Sequence, residues 1–88
     1  MTHIKLTTED RQELSILLNK IVGQLQSLNT IIVADKINDS TFTQLLAAKG
    51  GISRVCKNII AKGVLTQLDK YTKEELNYAL DLIFKLDK

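Results

Sequence analysis

The feature that most constrains this chain is a stripe of leucine and isoleucine residues that recurs at steps of three and four. Its members are Leu14, Leu17, Leu18, Ile21, Leu25, Leu28 and Ile32. This spacing places them along one side of an α-helix. The chain contains no proline, so no residue forbids a long uninterrupted helix. We therefore predict a first helix over residues 8–34, starting near Thr7 or Thr8 and followed by the polar turn 35–39.

A second apolar stripe predicts a helix over residues 40–62. It consists of Phe42, Leu45, Leu46, Ile52, Val55, Cys56, Ile59 and Ile60. Asn38, Asp39 or Ser40 can cap its N-terminus, and Gly63 suits a left-handed terminator after Lys62. The pair Gly50-Gly51 weakens the middle of this helix. It indicates either a kink or a close approach of another backbone, and we expect the helix to continue through it.

The third helix has the clearest start. Thr72-Lys73-Glu74-Glu75 has the pattern of a capping box, in which a threonine and a glutamate side chain satisfy each other's backbone N–H groups. Leu76, Ala79, Leu80 and Ile83 continue at helical spacing. We predict a helix over residues 73–87.

These helices predict an all-α protomer, a single domain over residues 1–88. The two long helices are each about 40 Å in length, and the short turn between them favours an antiparallel hairpin. A hairpin alone leaves half of each apolar stripe in water, and the third helix is too short to cover it. We therefore predict a dimer that closes a four-helix bundle.

Composition indicates a protein of the reducing cytoplasm. The single cysteine, Cys56, excludes an internal disulfide. No uninterrupted apolar run approaches the roughly 20 residues that span a bilayer, and residues 1–5 lack the apolar core of a signal peptide. We expect a cytoplasmic protein without a membrane partner.

Charge is distributed unevenly although the net charge is only +2. No acidic residue occurs from Ser40 to Leu68. Four positive side chains fall in that stretch: Lys49, Arg54, Lys57 and Lys62. Such a stretch is either a surface that attracts phosphates or an ordinary solvated face.

Catalysis is not expected. The sequence has no histidine–carboxylate or cysteine–histidine pair at plausible spacing, no CxxC motif and no glycine-rich phosphate loop after a strand. We predict neither an enzyme nor a bound cofactor.

Three segments together resemble a known family of regulators. The first is Leu18-Asn19-Lys20-Ile21-Val22-Gly23-Gln24-Leu25, and the second is Phe42-Thr43-Gln44-Leu45-Leu46-Ala47-Ala48-Lys49-Gly50-Gly51. The third runs from Lys73 to Lys85, and His3 matches an N-terminal histidine of some members. In order, spacing and three-helix layout they resemble the copper-, nickel- and formaldehyde-responsive repressors of bacteria, the CsoR/RcnR/FrmR group.

The resemblance implies a dimer of dimers that binds double-stranded operator DNA without a helix-turn-helix and is released by an inducer. It makes Lys20 a phosphate contact, and Gln24 either an organiser of the first helix or a groove contact. Lys49 takes the place of the family's second-helix arginine, and Arg11 stands near a basic cluster of the first helix. Arg54 and Lys57 either extend the basic surface or face water.

The resemblance also implies that this chain has other residues at the positions of the family's metal ligands. The family's cysteine position falls on Asn38, its histidine position on Gly63 and a further ligand position of the copper branch on Gln67. None of these is a good ligand for a soft or borderline metal, so we predict no metal site and the loss of copper, nickel and formaldehyde sensing.

Two alternatives remain open. The chain could be a helical oligomerisation or partner-binding module without DNA binding, because the net charge is small and arginines common in relatives are missing. It could also sense a metal or an oxidant through other residues. For His3 the competing interpretation is an unliganded tail residue, and for Cys56 a small core hydrophobe.

Overall fold

The computed structural model describes residues 3–86 and confirms the all-α, three-helix prediction. Helix α1 spans Thr8–Val33, α2 spans Asp39–Ile59 and α3 spans Lys73–Leu86. A π-helical turn at Ile60–Val64 and a 3-10 helix at Leu65–Lys70 connect α2 to α3. The predicted end of the third helix at residue 87 lies outside the described residues.

The helix starts form as the local sequence predicts. Thr7 Oγ1 accepts a hydrogen bond from the Asp10 N–H at 3.1 Å. At α3, the Glu75 N–H donates to Thr72 Oγ1 at 3.2 Å and the Thr72 N–H donates to Glu75 Oε1 at 3.0 Å. This reciprocal pair is a full capping box, and it satisfies two N–H groups that have no partner within the helix.

Helices α1 and α2 pack as an antiparallel hairpin. The buried residues of α1 recur every seven positions, at Leu14, Ile21 and Leu28, and those of α2 are also seven apart, at Thr41 and Ala48. The repeat of seven is typical of helices that pack side by side over their length. A Cβ on Gly51 would lie 3.0 Å from Ile21 Cδ1. The helix is continuous through Gly50-Gly51, and Gly51 provides room for α1.

The turn between α1 and α2 contains a left-handed residue that is not glycine. Asp35 has φ of 57°. Its N–H donates to Ile32 O at 3.1 Å, and the Lys36 N–H donates to Ile31 O at 3.0 Å. These two bonds form the Schellman arrangement that satisfies the last carbonyl groups of a helix. Glycine is the usual residue at this position because a Cβ is strained there.

The prediction for Gly63 is wrong. No glycine among residues 3–86 has a positive φ, and the chain continues past Gly63 in the π-helical turn. Gly63 is buried because residues 3–7, which we call the N-terminal strap, pack over it. A Cβ on Gly63 would collide with Ile4 Cγ2 and lie 3.0 Å from Leu6 Cδ2. The glycine is needed for space rather than for a left-handed backbone.

The strap and α3 build a small core at one end of the hairpin. Its buried members are Ile60, Val64 and Ala79, with Ile4, Tyr71, Leu76, Leu82 and Ile83 packed around them. The Tyr71 hydroxyl donates to Gly63 O at 3.3 Å. This core holds α3 against the C-terminal end of α2, and the end of α3 reaches Ser53, whose Oγ donates to Leu86 O at 3.5 Å.

The rest of the hairpin keeps a large apolar surface exposed. Leu25 of α1 and Leu45, Ala48 and Ile52 of α2 line a cavity of about 340 Å³, which Leu86 and the side chains of Lys49, Ser53 and Lys85 complete. We call this the apolar groove. Leu25, Leu45 and Ile52 are each at least 40% exposed. The α1–α2 face that carries these side chains is therefore not covered within the protomer.

The dimensions of the protomer agree with an incomplete core. It measures 51 × 28 × 15 Å, and its radius of gyration is 16.1 Å, against about 12 Å for a compact domain of this length. Its accessible surface is 6629 Å², against about 5200 Å² for a compact monomer of this mass. Because stable domains bury apolar faces between two layers, a slab this thin lacks its second layer.

By length and composition, helix α1 could cross a membrane. A search for uninterrupted apolar runs does not identify it, because polar residues break up its apolar sequence. An 18-residue window within it has a mean hydropathy of 1.2, and 11% of that window is buried. Polar side chains such as Asn19 and Gln26 interrupt the run. One such helix is weak evidence for a membrane, because a helix with one side packed against protein passes the same test.

Candidate nucleic-acid interface

Three of the predicted DNA-binding residues line one cleft. Lys49, Arg54 and Lys57 of α2 surround a cavity of about 470 Å³ whose other walls are Leu46, Gly50, Ser53 and Leu86. We call it the basic cleft. Arg54 and Lys57 are about one helical turn apart, and Lys49 lies one turn before Ser53, so the lining residues 46–57 follow one side of α2. Three of the residues that line this cleft are basic, and no acidic side chain among residues 3–86 lines it.

Lys49 lies at the border between two surfaces. Its side chain lines both the basic cleft and the apolar groove. Arg54 and Lys57 line only the basic cleft; Arg54 is exposed and Lys57 is half-buried. Any surface that covers the apolar groove therefore also comes close to the Lys49 ammonium group, while Arg54 keeps its access to solvent.

Lys20 and Gln24 lie elsewhere, on α1. Both are exposed and one helical turn apart, and neither lines the basic cleft or the apolar groove. At about 100° per residue, they lie on the opposite flank of the buried stripe from the exposed Leu25. The structure thus keeps these two residues together and separates them from the cleft on α2.

Arg11 occupies a third location. Its Nη2 donates to Thr8 Oγ1 at 3.2 Å, and it lines a shallow cavity with His3, Ile4, Lys5 and Leu6 of the strap. The six predicted residues therefore form three groups within the protomer.

Sequence reasoning missed a second basic group beside the strap. His3 and Lys5 line one cavity with Gln67, Lys70 and Tyr71, and Gln67 Nε2 donates to Lys5 O at 3.4 Å. No local pattern connects these residues, because the strap reaches the 3-10 helix only through tertiary packing. The one available signal was the shared positive charge of Lys5 and Lys70.

One of the four positive side chains in the acid-free stretch 40–68, Lys62, is paired with acidic residues from another part of the chain. Lys62 Nζ lies 2.9 Å from Glu13 Oε2 and 3.5 Å from Asp10 Oδ1. Its pKa is raised from 10.5, chiefly by the hydrogen bond to Glu13. Two acids of α1 therefore compensate Lys62, and it does not contribute a positive charge to the basic cleft.

Asn38 and Gly63 occupy two of the positions at which the resemblance implies sensor residues, and both support the fold of this chain. Asn38 Oδ1 accepts from the Ser40 N–H at 2.9 Å and caps α2, while the Asn38 N–H donates to Thr41 Oγ1 at 3.1 Å. Gly63 has no side chain, and Ile4 and Leu6 fill the space beside it. Thiolate and imidazole are the donors that copper and nickel prefer. These residues do not fit a bound metal of that class.

The two other candidate sensor residues lie in unlike surroundings. His3 is exposed beside Lys5, Lys70 and Arg11, and such cationic neighbours disfavour a metal cation. Cys56 is half-buried among apolar side chains of α2 and α3. Within residues 3–86, no group of three histidine, cysteine, aspartate or glutamate side chains could hold a metal ion.

The comparisons with known proteins agree with this architecture. A family model described as metal-sensitive transcriptional repressor matches residues 10–85, nearly the whole chain. Neither the curated proteins nor the solved structures provide a match. The matched family consists of transcription regulators rather than enzymes, and its members bind DNA as oligomers. This chain therefore belongs to the family of metal-sensitive transcriptional repressors.

Proposed function

We propose that this protein is a cytoplasmic repressor that binds double-stranded operator DNA and has lost copper, nickel and formaldehyde sensing. The observation that carries the DNA-binding part is the basic cleft. Lys49, Arg54 and Lys57 line it together, and no acidic residue among 3–86 lines it. Clustered cations bind the phosphates of a duplex by releasing its counterions. Family membership supplies the regulatory context.

The active species is an oligomer in this proposal. A second protomer covers the apolar groove and completes a four-helix bundle, and two such dimers form a tetramer. The support is the thin protomer and its exposed Leu25, Leu45 and Ile52. A tetramer carries four times the net charge of +2, spread over a broad surface that suits phosphates along a duplex.

The individual residues have different roles. Arg54 and Lys57 contact phosphates, and Arg54 can form the bidentate hydrogen bonds that lysine cannot. Lys49 contacts the phosphate backbone of the DNA from the edge of the dimer interface. Lys20 adds a phosphate contact from α1, with Gln24 either ordering the helix or reaching a groove. Arg11 contributes from the strap side of the molecule.

Loss of sensing is supported by what has replaced the family's ligands. A helix-capping asparagine occupies the cysteine position, and a glycine packed beneath the strap occupies the histidine position. Calorimetric titration of the folded protein with copper(I), nickel and zinc tests this directly. We expect no stoichiometric binding in the sub-micromolar range. Tight binding of any of the three metals would contradict this part of the proposal.

The DNA-binding part is tested by a band-shift experiment with the DNA upstream of the protein's own gene. We expect binding at low salt that weakens steeply as salt increases. Light scattering on the same sample establishes that the protein is folded and oligomeric. The absence of any shift at low salt, with an intact oligomer, would refute DNA binding.

A further inference from the structure

Another cavity lies beside the N-terminal strap and adjoins the basic cleft at Leu86. Its volume is about 220 Å³, and its lining comes from the end of α2, the π-helical turn, α3 and the strap. The lining residues are Ile4, Cys56, Ile59, Ile60, Ala79, Leu82, Lys85 and Leu86. The surface they present is almost wholly apolar, so Lys85 contributes its aliphatic stem rather than its ammonium group. We call this space the strap pocket.

The size and lining of the strap pocket determine what it can hold. The strap pocket is partly open to solvent, and its lining exposes far less polar than apolar surface, so it offers water almost no hydrogen-bonding partner. Water is a poor occupant, since it needs two to four polar partners. An engineered apolar cavity of about 150 Å³ in another protein stays dry and binds benzene. A pocket somewhat larger than that suits a molecule of about six to ten non-hydrogen atoms.

We propose that the strap pocket is a binding site for a small, uncharged, apolar molecule, and that this molecule is the effector of the repressor. The effector role rests on the proposed DNA-binding function, whereas the binding itself does not. The nearly wholly apolar lining favours an uncharged ligand, because burial of a charge against apolar side chains is costly.

The position of the pocket explains how a ligand there would act on DNA binding. Its walls belong to the strap, to α2 and to α3, which are otherwise joined at this end by the small core around Ile60 and Val64. Cys56 lines the strap pocket and the next residue, Lys57, lines the basic cleft. Leu86 lines both cavities. A ligand that shifts α3 relative to α2 therefore changes the shape of the basic cleft.

The binding test uses the full-length protein and toluene as the probe. Two substitutions at one position change the pocket in opposite directions: Cys56→Phe fills it, and Cys56→Ala enlarges it. We expect toluene to raise the melting temperature of the wild type and of Cys56→Ala, and its affinity for Cys56→Phe to fall at least tenfold. Circular dichroism verifies that both variants are folded.

A second measurement keeps the test independent of the variants. In the wild-type protein, bound toluene should slow the reaction of the Cys56 thiol with a water-soluble disulfide reagent severalfold. No toluene binding by the folded wild type, or equal affinity for all three proteins, would overturn the binding site. A side chain of a second protomer that fills the pocket would produce the first of these results.

The effector role is tested separately by titrating the protein onto DNA with and without toluene. We expect the DNA affinity to change at least fivefold in the wild type and to be unaffected in Cys56→Phe. If toluene binds but the DNA affinity stays the same, the effector role is refuted and the binding site stands. If the ligand-free protein binds no DNA at all, the proposed function fails, and the measured binding of toluene is unaffected.

Discussion

Lys62 and Glu13 form an ion pair that connects the π-helical turn after α2 to the first turns of α1, with Nζ 2.9 Å from Oε2. The hydrogen bond to Glu13 raises the pKa of Lys62 above 10.5, and the charge of Asp10 adds to this. The stabilisation by a group with a raised pKa is fully present below its unfolded-state pKa and is lost as pH rises through the folded-state value. At neutral pH the pair is therefore complete.

This pairing makes Lys62 a matched control for the residues of the basic cleft. Replacing Arg54 with glutamine should reduce the slope of log affinity against log salt by about 0.9 for each phosphate that Arg54 neutralises. Lys62→Gln removes the same charge from the same stretch but should leave the slope unchanged, because Glu13 and Asp10 already compensate Lys62. Fluorescence anisotropy at several salt concentrations measures both slopes. Equal changes in the two variants would show that Arg54 has no special role.

The close packing of the strap on Gly63 predicts opposite effects for two glycine substitutions. Gly63→Ala should lower the free energy of unfolding by about 1–3 kcal/mol, since its Cβ collides with Ile4. Gly23→Ala in the middle of α1 should raise it by about 0.5–1 kcal/mol, because no atom lies within 4 Å of the new Cβ and alanine favours a helix.

Urea unfolding followed by circular dichroism measures both glycine variants. Adding Ile4→Ala to Gly63→Ala should recover part of the lost stability by vacating the space that the new methyl group needs. A stabilising effect of Gly63→Ala alone would mean that the strap does not pack there in solution.

The left-handed conformation of Asp35 predicts a stabilising substitution. Asp35→Gly should raise the free energy of unfolding by about 0.5–1 kcal/mol, because it removes a strained Cβ and a negative charge at the C-terminus of α1. Asp39→Gly is the matched control: Asp39 favours the N-terminus of α2, so its loss should destabilise by about 1 kcal/mol. Thermal denaturation should therefore shift in opposite directions, and a common direction would contradict the Schellman geometry of the turn.

The apolar groove predicts that one charge can dissociate the oligomer. Leu25→Glu should raise the dimer dissociation constant by at least about 100-fold, since a carboxylate would be buried without a partner. Ile16→Glu introduces the same charge on an exposed part of α1 that does not line the groove, and this variant should remain at least dimeric. Size-exclusion chromatography with light scattering distinguishes them. A Leu25→Glu protein that elutes as the wild type does would exclude the groove as the dimer interface.

Sequence reasoning succeeded where the deciding interactions are local. Thr7 and Thr72 could be identified as helix caps because each bonds to a residue three positions away. The apolar spacing predicted three helices for the same reason, since helical periodicity depends only on neighbours along the chain. The surplus of apolar side chains over what one short third helix can bury was also evident from the sequence.

Tertiary structure decided the points that depend on distant residues. Gly63 is needed for space because Ile4 and Leu6 pack over it. The positive charge of Lys62 is compensated because Asp10 and Glu13 lie beside it. All four of these neighbours are far away in sequence. The grouping of His3 and Lys5 with Lys70 likewise follows from the packing of the strap against the 3-10 helix. Periodicity specifies which side of a helix is apolar, but it carries no information on which residues of another segment meet that side. Only the packed chain determines those neighbours, because long-range contacts arise from the combined shape of all the helices.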